Sequence, residues 1–161
     1  MKTYLVTGAA GFIGSNFVKY LLKKYGEDIQ IIIVDALTYA GNLASIKDEI
    51  ELDNVSFVKS DIADYETIKS VFTNNDIDYV VNFAAESHVD RSITNPKLFL
   101  ETNIIGTQNM LQCAREAWYV GKDEKGSPVY KDGVKYLQIS TDEVYGALEL
   151  THTEGIEPPF T

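Results

Sequence analysis

Apolar and polar positions alternate in blocks along this chain, short β-rich runs being followed by longer stretches with helical spacing. The runs Thr3–Thr7, Ile31–Val34, Val55–Lys59, Tyr79–Phe83 and Val134–Ile139 predict strands. Between them, Phe12–Lys24, Leu43–Glu51, Tyr65–Thr73 and Pro96–Tyr119 predict helices. The last is the clearest, with Leu98, Thr102, Ile105, Met110, Leu111 and Ala114 recurring near helical spacing behind an Asn95-Pro96 start signal. A continuously apolar strand such as Ile31–Val34 suits a parallel sheet covered on both faces. The alternation predicts one doubly wound parallel α/β domain over residues 1–146. Gly121 to Gly133 is polar and predicts a surface loop. Beyond Gly146 the pattern dissolves, and residues 147–161, with Gly155, Pro158 and Pro159, read as loop.

Composition narrows the partners. The chain has 161 residues, 45% of them hydrophobic, enough for the core of one domain. Fourteen Lys and Arg stand against 24 Asp and Glu, a formal charge of -10. That balance argues against a nucleic-acid or anionic-membrane surface. It leaves a nucleotide ligand open, because backbone amides and helix N-termini bind phosphate without net positive charge. The single Cys113 cannot form an internal disulfide and fits a reducing compartment. It lies in a helical run and reads as a small buried hydrophobe. No targeting segment and no membrane-length apolar run is visible, so the expected location is the cytoplasm.

Gly8-Ala9-Ala10-Gly11-Phe12-Ile13-Gly14 leaves the first strand and opens the first helix, the context that gives a glycine-rich motif meaning. Gly8 permits the tight turn, Gly11 lets backbone approach a pyrophosphate, and Gly14 lets helix and strand pack closely. Asp35 ends the second strand, where a carboxylate takes adenosine-ribose hydroxyls and repels a 2′-phosphate. Together these features predict a Rossmann-type domain that binds NAD rather than NADP. Asp61, at the end of the third strand, faces the adenine in this reading; alone it is equally a helix-capping or turn residue.

Ser140-Thr141-Asp142-Glu143-Val144-Tyr145-Gly146 follows the fifth strand. A hydroxyl and two adjacent carboxylates at a strand's carboxyl end supply an acid and a base, the pair that elimination of water requires. The bland alternative is a solvated turn. No metal site is assigned.

Several segments resemble one family. Thr7 to Gly14 resembles the extended short-chain dehydrogenase/reductases. Asp35 to Asn42, Asn82 to Ser92, Thr102 to Thr107 and Ser140 to Gly146 resemble the nucleotide-sugar 4,6-dehydratases within that group. The resemblance implies a redox-neutral dehydration with bound NAD, acting on dTDP-glucose in deoxysugar biosynthesis. In it the glucosyl C4 hydroxyl is oxidised transiently, and the new carbonyl acidifies the C5 proton. A base takes that proton, an acid protonates the departing C6 hydroxyl, and hydride returns to C6. Carried over by position, Glu143 is the base, Asp142 the acid, and Thr141 holds the sugar near O4. For this, Asp142 must keep its proton near neutral pH, and the two carboxyls titrate as a coupled pair. The resemblance assigns Phe12, Ile13, Asp35, Leu37, Thr38, Asp61, Ile62, Ala84, Ala85, Glu86 and Thr102 to the NAD site, and Ser87 to the substrate. His88, Asp90 and Arg91 are either substrate contacts or a polar loop held by its own Asp–Arg pair. His152 receives no role, and Tyr145 is read as packing or hydrogen bonding.

The chain also departs from the family, whose C4 oxidation uses a Tyr-x-x-x-Lys pair after the fifth strand. Tyr20/Lys24 and Tyr65/Lys69 fit the pattern but lie on earlier helices and read as surface pairs. The expectation is therefore a truncated chain, ending before the last strands and the substrate domain, that binds NAD without turnover. The resemblance implies a homodimer of the complete protein, built on this long helix together with one this chain lacks, and no dimer is expected of this chain alone. Rival readings are a nucleotide-sugar epimerase, a dehydratase for a UDP-sugar, and a non-catalytic NAD-binding module. The Asp142-Glu143 pair weighs against the epimerase; the missing Tyr-x-x-x-Lys favours the module and the Thr141-Asp142-Glu143 triplet opposes it; the Asp142 position and Asp35 weigh against a GDP-mannose enzyme.

Overall fold

The computed structural model describes residues 1–141 and 144. Five parallel strands form the central sheet: β1 (Lys2–Thr7), β2 (Ile29–Asp35), β3 (Val55–Lys59), β4 (Tyr79–Asn82) and, after a hairpin of β5 (Tyr119–Lys122) and β6 (Pro128–Tyr130), β7 (Lys135–Gln138). Their order is β3-β2-β1-β4-β7, with β1 pairing in parallel to both β2 and β4. The chain thus reverses direction across the sheet at β1, and a crevice opens beyond the carboxyl ends of β1 and β4.

Alternate residues of the central strands feed opposite cores. Leu5, Ile32, Val34 and Val80 pack with Ile68, Phe72, Met110 and Trp118 from α2 (Tyr65–Asn74) and the long helix. Val6, Ile31 and Ile33 pack on the other face with Val18 and Leu21 of α1 (Phe12–Tyr25). This is the two-sided burial that the apolar runs predict. Cys113 is buried in the first core, and burial pushes its thiol up to about 11, an inert small hydrophobe as expected.

Three expectations need correction. Leu43–Glu51, expected as one helix, folds as 3-10 turns at Leu43–Ile46 and Glu49–Glu51. Only Ile46 of this stretch is buried, so no continuous apolar stripe holds an α-helix in place. The Gly121–Gly133 stretch, expected as loop, contains most of the antiparallel β5–β6 hairpin, which begins where the long helix ends at Trp118. Asp123 Oδ1 accepts the N–H groups of Lys125 and Ser127 at 2.9 and 2.8 Å and closes its turn. The polar loop offered as one of two readings for His88, Asp90 and Arg91 is instead the helix α3 (Val89–Thr94), with His88 at its N-cap. The long helix itself runs as α4 (Pro96–Phe99), a π-helical stretch (Leu100–Gly106) and α5 (Thr107–Trp118). Among the described residues no helix is long and apolar enough to cross a membrane.

A candidate dinucleotide site beyond strands one and four

The turn after β1 is built for contact with backbone. Gly8 has φ +64°, and a Cβ there would lie 2.6 Å from the amide nitrogen of Ala84, in the neighbouring strand's exit. A Cβ on Gly14 would collide with the carbonyl oxygen of Gly8, so helix α1 starts directly against the loop. Gly11 differs: its Cβ would meet only Gly8 O, at 3.2 Å. Apart from that one carbonyl, no described residue approaches Gly11 on this side, which leaves it open to a ligand. Gly11 caps α1 in extended conformation, no side chain caps the helix, and its first turn carries no acidic residue. Its leading N–H groups are therefore suited to an anion.

Asp35 is buried, and its two oxygens accept the amides of Ala10 and Leu37, each at 2.8 Å. One carboxylate so ties the end of β2 to the glycine-rich turn. Leu37, at φ +53°, turns the chain back, and Asn42 N–H returns to Ala10 O at 3.0 Å. Asp61 Oδ1 accepts the Ala63 amide at 2.9 Å, which makes it a turn residue, while the cap of α2 is Asp64. Asn109, buried on α5, donates to Ile62 O and Ala63 O at 3.1 and 3.0 Å and holds this loop in place.

A cavity of 120 Å³ brings together Gly8, Gly11, Asp35, Thr38, Asp61 and Ile62. Its other wall is Ala84, Ala85, Glu86 and Thr102. Phe12, Ile13, Gly14 and Leu37 do not line it; Phe12 and Ile13 stand 86% and 61% exposed at the mouth of the turn. A second cavity, of 530 Å³, continues from Ala84, Ala85 and Glu86 to Ser87, Ser140 and Thr141. The strand-end hydroxyls and the dinucleotide crevice therefore share one wall. Asp142, Glu143, Tyr145 and His152 lie outside the described residues.

Beneath that wall runs a polar chain across three strands. Thr7 Oγ1 donates to Asn82 Oδ1, Asn82 Nδ2 donates to Gln138 Oε1 at 2.8 Å, and Tyr136 OH donates to the same oxygen at 3.2 Å. Burial pushes the Tyr136 phenol up to about 12, so it keeps its proton and is no general base. Above it, the Asn103 side chain grips the Glu86 backbone twice, accepting its N–H and donating to its carbonyl, both at 2.8 Å. Neither this brace nor the Thr7–Asn82–Gln138 chain is visible in sequence, since both depend on strand register and on the π-helical turn that carries Asn103.

Of the two readings of His88, Asp90 and Arg91, the loop held by its own Asp–Arg pair is the one the structure corrects. Among the described residues Asp90 and Arg91 form no ion pair; Arg91 instead stacks its guanidinium 3.8 Å from the centroid of Tyr39. His88 stands edge-on to the same ring at 6.5 Å. The loop after β2 is thereby bridged to α3. Tyr20/Lys24 is a surface pair as read, while Tyr65 packs half-buried against the first core; each lysine lies over its tyrosine, at 5.7 Å for Lys24/Tyr20 and 5.5 Å for Lys69/Tyr65.

Comparison with known proteins follows the same lines. The family model described as GDP-mannose 4,6 dehydratase matches residues 5–159. A dTDP-glucose 4,6-dehydratase of Xanthomonas campestris pv. campestris (strain B100) is 45% identical over 149 residues, 92% of this chain and 40% of that protein. The dTDP-glucose 4,6-dehydratase of Bacillus anthracis, solved in complex with NAD, superposes with a TM-score of 0.74 at 39% identity, over 98% of this chain and 43% of its own. A Streptomyces venezuelae dTDP-glucose 4,6-dehydratase, also solved with NAD bound, gives 0.74 at 42% identity, over 91% and 42%. The chain thus spans about two fifths of the length of these relatives. On the matched residues, the chain belongs to the GDP-mannose 4,6 dehydratase family and is similar there to dTDP-glucose 4,6-dehydratases.

Proposed function

We propose that this chain is the NAD-binding part of a dehydratase that converts dTDP-glucose to its 4-keto-6-deoxy sugar. The observation that carries the reading is the shared wall Ala84-Ala85-Glu86, which joins the crevice over the glycine-rich turn to the cavity holding Ser87, Ser140 and Thr141. A cofactor in the first would lie beside a sugar in the second.

The residues present fit NAD. Gly11 is open on its ligand side, α1 has an uncapped N-terminus for the pyrophosphate, and Asp35 stands where the adenosine ribose would lie. When bound, NAD would supply reversible hydride transfer with the sugar. Thr141 then holds the sugar hydroxyl near O4, and Ser87 orients the nucleotide-sugar. Glu143 removes the C5 proton once C4 carries a carbonyl, and Asp142 gives its proton to the leaving C6 hydroxyl. An acid and a base adjacent in sequence perform this elimination only if their pKa values are pushed apart.

The C4 proton needs a base of its own. Neither Tyr20/Lys24 on α1 nor Tyr65/Lys69 on α2 lines the cavities, and Tyr136 is held neutral. We therefore expect these 161 residues to bind NAD without turning over dTDP-glucose. The reading places the protein in the cytoplasm. It also gives the complete protein a homodimer on the long helix, whose Leu100, Ile104 and Leu111 are exposed. The test is titration calorimetry of NAD and NADP into the purified chain, with mass spectrometry of dTDP-glucose incubated with it. NAD binding that exceeds NADP binding, with no product, is the expected result. Product formation would overturn the inactivity, and absence of NAD binding would overturn the cofactor assignment.

A further inference from the structure

Glu86 is an anomaly of this site. It is 94% buried by area, being only 6% exposed, yet its Oε2 has no hydrogen-bond partner among the described residues. A buried, unpaired carboxylate is among the more expensive arrangements a protein can hold. The chain nevertheless fixes it firmly, because Asn103 brackets the Glu86 peptide from both sides at 2.8 Å. Fixing the backbone while leaving the carboxylate unpaired is what a group intended for a ligand requires.

Charge identifies the kind of partner. Glu86 lines both cavities, and neither is lined by lysine, arginine or histidine among the described residues. Asp35 and Asp61, which mark the adenosine side, line the crevice beyond β2 and β3. Glu86 stands at the far end of that crevice, where it opens toward Ser140 and Thr141. Among the described residues no cation lines either cavity, so the positive charge that Glu86 is offered here is that of the bound molecule. The oxidised nicotinamide ring carries one; the reduced ring is neutral. We propose that the Glu86 carboxylate is the counter-charge by which this site holds oxidised dinucleotide in preference to reduced. This rests on the NAD assignment made above. In a reaction that returns its hydride within each turnover, such a bias favours the hydride's departure to C6 and leaves the cofactor ready for the next sugar.

The test compares the full chain with Glu86→Gln, titrating NAD+ and NADH separately and recording the melting temperature of each apo-protein. Gln keeps the size and an acceptor but removes the charge. We expect NAD+ affinity to fall on the order of tenfold, NADH affinity to change less than about twofold, and the apo-protein to melt no lower than wild type, since no chain partner is lost. Equal changes for both dinucleotides, or none, would overturn the proposal and leave NAD binding standing. A lower melting temperature with equal losses would mark Glu86 as structural. If the wild-type chain binds neither dinucleotide, the cofactor assignment and this proposal fail together. Should the Gln variant not fold, Glu86→Met, apolar and of similar size, is read by the same ratio.

Discussion

Gly8 and Gly11 belong to one motif and carry different burdens. A methyl at Gly8 meets the Ala84 backbone, which cannot give way, and forces a left-handed φ on an L residue. Gly8→Ala should therefore lower stability by about 2 kcal/mol or more in urea unfolding. Gly11→Ala meets little besides Gly8 O, and its stability should stay within about 1 kcal/mol of wild type. Its NAD affinity, however, should fall at least about tenfold as the methyl enters the phosphate's space. Equal effects on stability from both variants would refute this division. The glycine spacing and Asp35 were legible in the sequence because they are chemical necessities at fixed offsets from a strand. The two-amide anchoring of Asp35 was not, since it depends on how the glycine turn folds back over β2.

At the scale of elements, the long helix shows where periodicity succeeds and where it stops. Its existence follows from the recurrence of apolar residues, and its start from Asn95-Pro96. Its π-helical middle has no such signal, yet that stretch carries Thr102 to the cavity and Asn103 to Glu86. Asn109, a turn further on, belongs to the same machinery. Asn109→Leu would strip two carbonyls at Ile62 and Ala63 of their donor, and we expect a loss of about 2–3 kcal/mol together with weaker NAD binding. Unchanged affinity at reduced stability would show that the Asp61 loop does not depend on this anchor. The hairpin was missed for the opposite reason: Gly, Pro and Lys dominate its composition, while its pairing rests on few β-formers such as Val129 and Tyr130.

The whole sheet is held at its other end by one residue that the sequence does not advertise. Asp78 accepts the Lys2 ammonium and the Thr3 amide at 2.8 and 3.0 Å, and Lys131 lies at 3.4 Å. Burial alone would raise its pKa, but Lys2, Thr3 and Lys131 outweigh burial and hold the carboxyl below its usual range. Because the folded value is depressed, its contribution is present above the unfolded pKa of about 3.9 and is lost as pH falls through the folded value. Asp78→Asn should cost about 1.5–3 kcal/mol at pH 7 and converge on wild type at the acid end of a urea series. A constant gap down to pH 2 would exclude the charge as the cause. Apart from the β2–β3 connection and the β5–β6 hairpin, the α/β alternation was readable because two-sided burial writes itself as apolar runs. The Asp78 staple was not, because it joins residues more than 70 positions apart.

Trp118 closes the long helix, buried, with its indole N–H donated to Ile77 O at 2.7 Å. It is the chain's single tryptophan and sits at the amino-terminal edge of β4, across the sheet from the dinucleotide crevice. The protein therefore carries its own optical gauge: ultraviolet emission from one shielded indole tracks the joining of helix to sheet, free of direct contact with bound nucleotide.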